Sequence, residues 1–179
     1  MTADEDSSLV ARKLESVDHC CCVSPAYLAT RGAPAAPEDL REHATIVYGE
    51  ARQAVWRFDR GSQQVRVPVE GRLSANSFPI ARDAAMSGVG IASLPTFVCG
   101  ADIRAGRLVS LFPEWVVNRS EMRVVYPSNR YLPPRVRLFI DALVKGYGES
   151  LARERILDRQ PRPAPPPIRK KPSKKGLSS

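Results

Sequence analysis

Histidine is nearly absent: His19 and His43 are the only two in 179 residues, and they lie in unrelated contexts. Neither stands near a Gly-x-Ser-x-Gly turn or a carboxylate pair of obvious spacing, so hydrolytic chemistry lacks a nucleophile and a base at workable separations. No enzyme is expected. Cysteine is also scarce. Of four cysteines, Cys20, Cys21 and Cys22 are consecutive and Cys99 stands alone. Neighbours on a strand point to opposite faces and do not easily bridge. Without a CxxC spacing no metal site is read, and the thiols are expected to be small buried hydrophobes in a reducing compartment. No metal and no cofactor is expected. No apolar run approaches membrane-spanning length, and the first residues, MTADEDSS, are acidic and polar where a secretory signal would be basic and then apolar. A cytoplasmic chain with no membrane partner is the expectation.

Acidic residues are missing from one end. From Gln160 onward there are six basic side chains (Arg162, Arg169, Lys170, Lys171, Lys174, Lys175) and no acidic one. They account for most of the net charge of +8 and leave +2 for residues 1–159. The basicity therefore belongs to a tail, and it says little about what the remainder binds. That tail, RQPRPAPPPIRKKPSKKGLSS, is rich in proline and has no apolar pattern able to form a core. A disordered tail over 149–179 is expected.

Ahead of it, a hydrophobic content of 43% suffices for a core. Residues 9–23 read as two strands joined by a turn near Asp18. Ser24-Pro25 opens a helix over Ala26 to Arg31 that Gly32 stops, because serine caps exposed amides, proline suits the first helical position and glycine tolerates a left-handed stop. A short helix follows from Pro37 to about His43. The texture then becomes β: Thr45 to Tyr48, Ala54 to Phe58, Val65, Val67 and Val69 at period two, and Arg72 to Ala75. Pro68 cannot donate to a ladder and points to an edge strand. Asn76 or Ser77 caps the next helix, whose face of Ile80, Ala81, Ala84 and Ala85 ends at Gly88. Ile91 to Leu94 reads as a buried strand, Phe97 to Ala105 as a helical turn, Leu108 to Phe112 as an apolar run, and Val124 to Tyr126 as the last strand. Behind Pro133-Pro134, Val136, Phe139, Ile140, Leu143, Val144 and Tyr147 recur at helical spacing. Strands interleaved with helices give an α/β fold with at least one mainly parallel sheet.

Two other signals read as structure. Gly88-Val89-Gly90 lacks the third glycine of a dinucleotide loop, since Ser93 stands there, and it follows a helix where that loop should follow a strand. Trp56, Phe58, Phe112 and Trp115 lie in apolar runs where core packing is the common use of an aromatic ring.

Several stretches, taken in order, carry a family resemblance. They are CVSPAYLATRG with PEDLREH; Tyr48; Trp56-Arg57-Phe58; VPVEGRLSANS; IARDAAMSGVGIASLP; ADIRAGRLVSLFPEW; MRVVYPSNRYLPP; and RVRLFIDALV. Together they resemble the effector domain of LysR-type transcriptional regulators over roughly residues 6–148, the carboxy-terminal part of that domain without the helix-turn-helix. The resemblance implies a periplasmic-binding-protein-like α/β effector domain, with a small-molecule cleft between two subdomains. Residues 24–117 would be the second subdomain, and 1–23 with 118–148 an incomplete first one. On matching positions Tyr48, Gly49, Asn76, Ser77, Pro95 and Thr96 would line the second-subdomain wall of the cleft. Amides at a helix start and the side-chain oxygens of Asn76 and Ser77 suit a carboxylate or another polar effector; plain helix capping is the other use for these two residues.

The function so implied is that of a truncated regulator whose effector domain controls DNA binding and transcription. Its partners would be a small-molecule effector, copies of itself or related regulator subunits, and DNA only through a missing domain or weakly through the tail. The alternatives are a stand-alone solute-binding module, and a non-functional fragment whose tail binds nucleic acid non-specifically.

Overall fold

The computed structural model describes residues 9–127 and 133–158, with side chains of the last helix followed to Tyr147. The strands are β1 (Leu9–Val23), β2 (Thr45–Tyr48), β3 (Gln53–Arg60), β4 (Gln63–Ala75), β5 (Ile91–Pro95), β6 (Val109–Leu111) and β7 (Val116–Pro127). The helices are α1 (Pro25–Arg31), α2 (Phe78–Met86), α3 (Thr96–Arg104) and α4 (Pro134–Asp158), with a 3-10 turn at Pro37–Glu42. No helix among the described residues is long and apolar enough to cross a membrane. The chain divides into two compact units, 18–118 and the residues on either side of it.

In the unit 18–118 the strand order is β6-β1-β5-β2-β4-β3-β7. β2 runs parallel to both β4 and β5, and the remaining pairs are antiparallel. The sheet is thus mixed, with its parallel part confined to three central strands. Alternation sets the two faces. Trp56, Phe58, Val67 and Val69 point into one core, whereas Val55, Arg66, Pro68 and Glu70 are exposed. That core holds Cys21, Val23, Tyr27, Leu40, Val47, Ile91 and Phe112 as well; a second, on the other face, gathers Cys20, Cys22, Ile46, Ala81, Ala85, Leu94 and Cys99. The aromatics are packing residues, as expected: Phe58 is fully buried and meets Phe112 and Trp115 edge-on at 5.8 and 6.4 Å.

The helix starts and stops follow their local chemistry. The Ser24 hydroxyl accepts from the Tyr27 amide, and Gly32 has a φ of 76°. Gly88 ends α2 with a φ of 78°. Gly90 has a different reason to be glycine: a β-carbon there would lie 2.6 Å from the Ala44 carbonyl oxygen.

Other expectations need correction. Residues 9–23 form one continuous strand with no turn at Asp18, which directly precedes His19, the first residue paired with β5. β4 changes partner along its length: Gln63–Glu70 pairs with β3 and Gly71–Ala75 with β2, and Pro68 sits in the first stretch, opposite Val55. Ile80 does not belong to the packed face of α2; it is 56% exposed, and Ala81 and Ala85 are the residues buried. β7 extends well before Val124, since its polar residues occupy the exposed positions of a strand.

In the other unit the outer parts of β1 and β7 are neighbours, joined by Lys13 Nζ to Glu121 at 2.8 Å, and Arg12 pairs with Asp141 of α4. Hydrogen bonds from Lys13 and Arg123 hold the Glu121 carboxyl down at about 2. Of the helical stripe expected from sequence, Ile140 is buried, while Phe139 and Tyr147 are 63% and 39% exposed. α4 continues to Asp158, so helix occupies the first part of the segment read as tail. The rest of that segment, 159–179, lies outside the described residues.

Candidate functional site

The three parallel strands end together. The pairings Tyr48 with Ala75 and Ile46 with Ala92 put the carboxyl ends of β2, β4 and β5 side by side. All six candidate residues stand at these ends: Tyr48 and Gly49 after β2, Asn76 and Ser77 after β4, Pro95 and Thr96 where β5 passes into α3. Ligands of open α/β sheets collect outside the carboxyl ends of parallel strands, where chain reversals leave a crevice and helix starts present unbonded amides.

The residues differ in what they offer. Tyr48 is 52% exposed and stacks on Phe78, with ring centroids 4.0 Å apart and planes inclined by 14°. Gly49 donates its amide to the Ala75 carbonyl at 2.9 Å and takes a φ of 116°, a conformation in which a side chain is strained. Asn76 is exposed and Ser77 half-buried. Ser77 occupies the capping position of α2, yet its side chain makes no capping hydrogen bond, so simple capping does not account for it. The first turn of α2 offers the amides of Phe78 and Ile80 but none at Pro79. Pro95 is buried and acts through its backbone, as the residue preceding α3. Thr96 opens that helix, half-buried, with the amides of Thr96, Phe97 and Val98 in the first turn.

Two side chains that sequence reasoning left out join this rim. Phe78 supplies the stacking partner of Tyr48. His19 pairs with Pro95 across β1 and β5 and meets the Phe78 ring edge-on at 6.0 Å. Burial lowers the His19 pKa, against the opposing pull of Asp18, so the ring is biased towards its neutral form. No spacing rule would have found either residue, because strand pairing alone brings 19, 48, 78 and 95 together.

Below the rim, a buried carboxylate fixes α2 against α3. Asp102 of α3 is 1% exposed and accepts from Arg82 Nε of α2, and also from Arg107 Nε at 2.7 Å. Bonding to Arg82, then to Arg107, holds the Asp102 carboxyl below its ordinary range. The clamp sets the separation of the two helix starts. At the opposite end of the parallel strands, a concavity of about 370 Å³ is lined by Tyr27, Thr30, Arg31, Glu42, His43 and Ala44. There the Tyr27 hydroxyl lies 3.2 Å from His43 Nδ1 and accepts the Ala44 amide at 3.0 Å, which anchors the turn into β2.

Residues 1–148 match the LysR substrate-binding domain. An uncharacterised helix-turn-helix-type transcriptional regulator of Haemophilus influenzae is 38% identical over 133 residues, which is 74% of this chain and 46% of that protein. The transcriptional regulator PtxR of Pseudomonas aeruginosa is 35% identical, over 81% of this chain and 47% of its own length. The chain therefore spans about half the length of the curated relatives it matches. Among solved structures, the regulatory domain of AphB from Vibrio vulnificus superposes with a TM-score of 0.64 at 32% identity, covering 78% of this chain and 70% of that one. The regulatory domain of CrgA from Neisseria meningitidis gives 0.62 at 31%, covering 79% and 70%.

Proposed function

Since the chain belongs to the LysR family through its substrate-binding domain and has the α/β fold of the family's regulatory domains, we propose that it is the effector-sensing part of a transcriptional regulator. The second effector subdomain, expected over 24–117, takes in Asp18–Val23 of β1 as well, where His19–Val23 pair with β5 and β6, and the flanking residues up to 148 belong to the first. The effector is a small carboxylate, held at the carboxyl ends of β2, β4 and β5. The observation that carries this reading is the convergence of Asn76, Ser77 and Thr96 with two helix starts at the end of a parallel strand trio, next to an exposed Tyr48–Phe78 stack. Amides and hydroxyls neutralise the carboxylate, and the stacked rings cover its apolar part. Binding biases one arrangement of the regulator and so its action on DNA, by the differential affinity of the effector for the two states. Partners are other regulator subunits, and DNA only through the helix-turn-helix of a complete regulator or weakly through the basic tail.

Amide-resolved NMR of the full chain with benzoate and with propionate tests the site. Shifts should concentrate on Phe78, Ile80, Thr96, Phe97 and Val98, and Ser77→Ala with Thr96→Val should weaken binding about tenfold, the loss of one charge-assisted hydrogen bond or more. Shifts around Tyr27 and His43 instead, or unchanged affinity in the double variant, would overturn the placement.

A further inference from the structure

Strand alternation and one helix bring together cysteines that the sequence holds far apart. Cys20 and Cys22 are two residues apart on β1 and so share a face; Cys99, from α3, reaches the same core. The three sulfur atoms lie within 4.8 Å of one another, and all three residues are buried. Cys21 points into the opposite core. No disulfide involves any of them. Around the trio the wall is mainly apolar (Ile46, Ala81, Ala85, Ala92, Leu94 and Leu108), with the Ser110 hydroxyl 3.3 Å from the Cys20 sulfur. Burial and mutual hydrogen bonding keep Cys22 and Cys99 protonated, with the bonds to Cys20 as the largest influence on both.

We propose that Cys20, Cys22 and Cys99 form a three-thiol binding site for a trivalent arsenical such as arsenite. Ligand count and charge select this chemistry. Zinc takes four ligands, and among the described residues no further histidine, cysteine or carboxylate joins the cluster. Three thiolates around a divalent ion would leave a net negative charge in an apolar core, and around a monovalent ion a larger one, which such surroundings penalise heavily. A trivalent centre leaves none. The reaction balances without a redox step: As(OH)₃ and three thiols give As(SR)₃ and three waters. Three As–O bonds break, three As–S bonds form, and each thiol proton leaves with a hydroxide. The protonated thiols are thus the reacting form. A pyramidal trivalent centre with bonds to sulfur of about 2.3 Å holds its three sulfurs roughly 3.4 Å apart, so the side chains draw inward to close the site. The inference is independent of the effector reading, which involves other side chains.

The test is native mass spectrometry of the full chain with sodium arsenite, in a phosphine reductant. The expected product gains one arsenic and loses three protons. Single Cys20→Ser, Cys22→Ser and Cys99→Ser variants should each lose binding at least tenfold, whereas Cys21→Ser, an equally buried change on the other face, should retain it. Circular dichroism on every variant separates loss of the site from loss of the fold; should a serine variant unfold, the alanine at that position replaces it. Unmodified mass in the folded protein, retention by Cys99→Ser, or equal loss in Cys21→Ser would overturn the proposal. Tight retention of zinc or cuprous ion in parallel arms, with no arsenic bound, would refute the charge argument.

Discussion

Replacing Asp102 with asparagine keeps the shape of the clamp between α2 and α3 and removes its charge. In the native protein the carboxylate is 1% exposed and receives bonds from both Arg82 and Arg107, whose side chains are 33% and 56% exposed. Hydrogen bonds to a charged group contribute about 1.5–3 kcal/mol each, and partial exposure of both arginines favours the lower end, so the change should cost on the order of 3 kcal/mol at neutral pH. With a urea slope near 2 kcal/mol/M the midpoint should fall by roughly 1.5 M. The pH dependence gives a second check. Because the folded carboxyl titrates below its unfolded value, its contribution is complete above about pH 4 and is lost as pH falls through the folded value. The gap between native protein and variant should therefore be constant from pH 7 to 5 and narrow below about pH 4. A midpoint difference under about 0.3 M at pH 7, or one that is still undiminished at the lowest pH where the chain remains folded, would refute the reasoning.

Phe58→Ala should destabilise by about 3–5 kcal/mol, because it opens a void beneath Phe112 and Trp115; thermal denaturation showing a drop of only a degree or two would contradict this. Burial lowers the His19 pKa, so stability should be complete above about pH 6.5 and decline as pH falls below it; His19→Gln should flatten that slope in urea titrations between about pH 7 and 5.5.

The parts of the fold visible in the sequence are those in which polarity alternates sharply or a cap is chemically explicit. Val65, Val67 and Val69 gave β4 its inner face, and Ser24 with Gly32 bounded α1. β7 was largely hidden, because Asn118, Arg119, Ser120 and Glu121 give no apolar contrast although the strand runs on through them. β1 looked broken at Asp18 for the same reason. The stripe on α4 marks a helix, and among its residues Ile140 alone is buried, since periodicity reports a face and not what covers it. For the site, family resemblance supplied six positions. That they share one rim with His19 and Phe78 depends on parallel pairing of β2 with β4 and β5, and on antiparallel pairing of β1 with β5, between segments distant in sequence. The cysteine cluster was invisible because its spacing follows topology, with no local motif to mark it.

The run Cys20-Cys21-Cys22 bears on how β1 finds its place. A one-residue slip of a strand normally exchanges apolar for polar side chains, and the energetic contrast enforces a single alignment. Here three consecutive residues near the end of β1 are identical, so sliding by one position would trade thiol for thiol there and meet little resistance from them. Discrimination has to come from the flanks, where Val17 and Val23 are buried and His19 faces Pro95. The cysteine run is, in effect, aligned by the residues on either side of it. The three thiols form a natural register gauge: in the native alignment two belong to one core and one to the other, and a slipped chain would reverse that count.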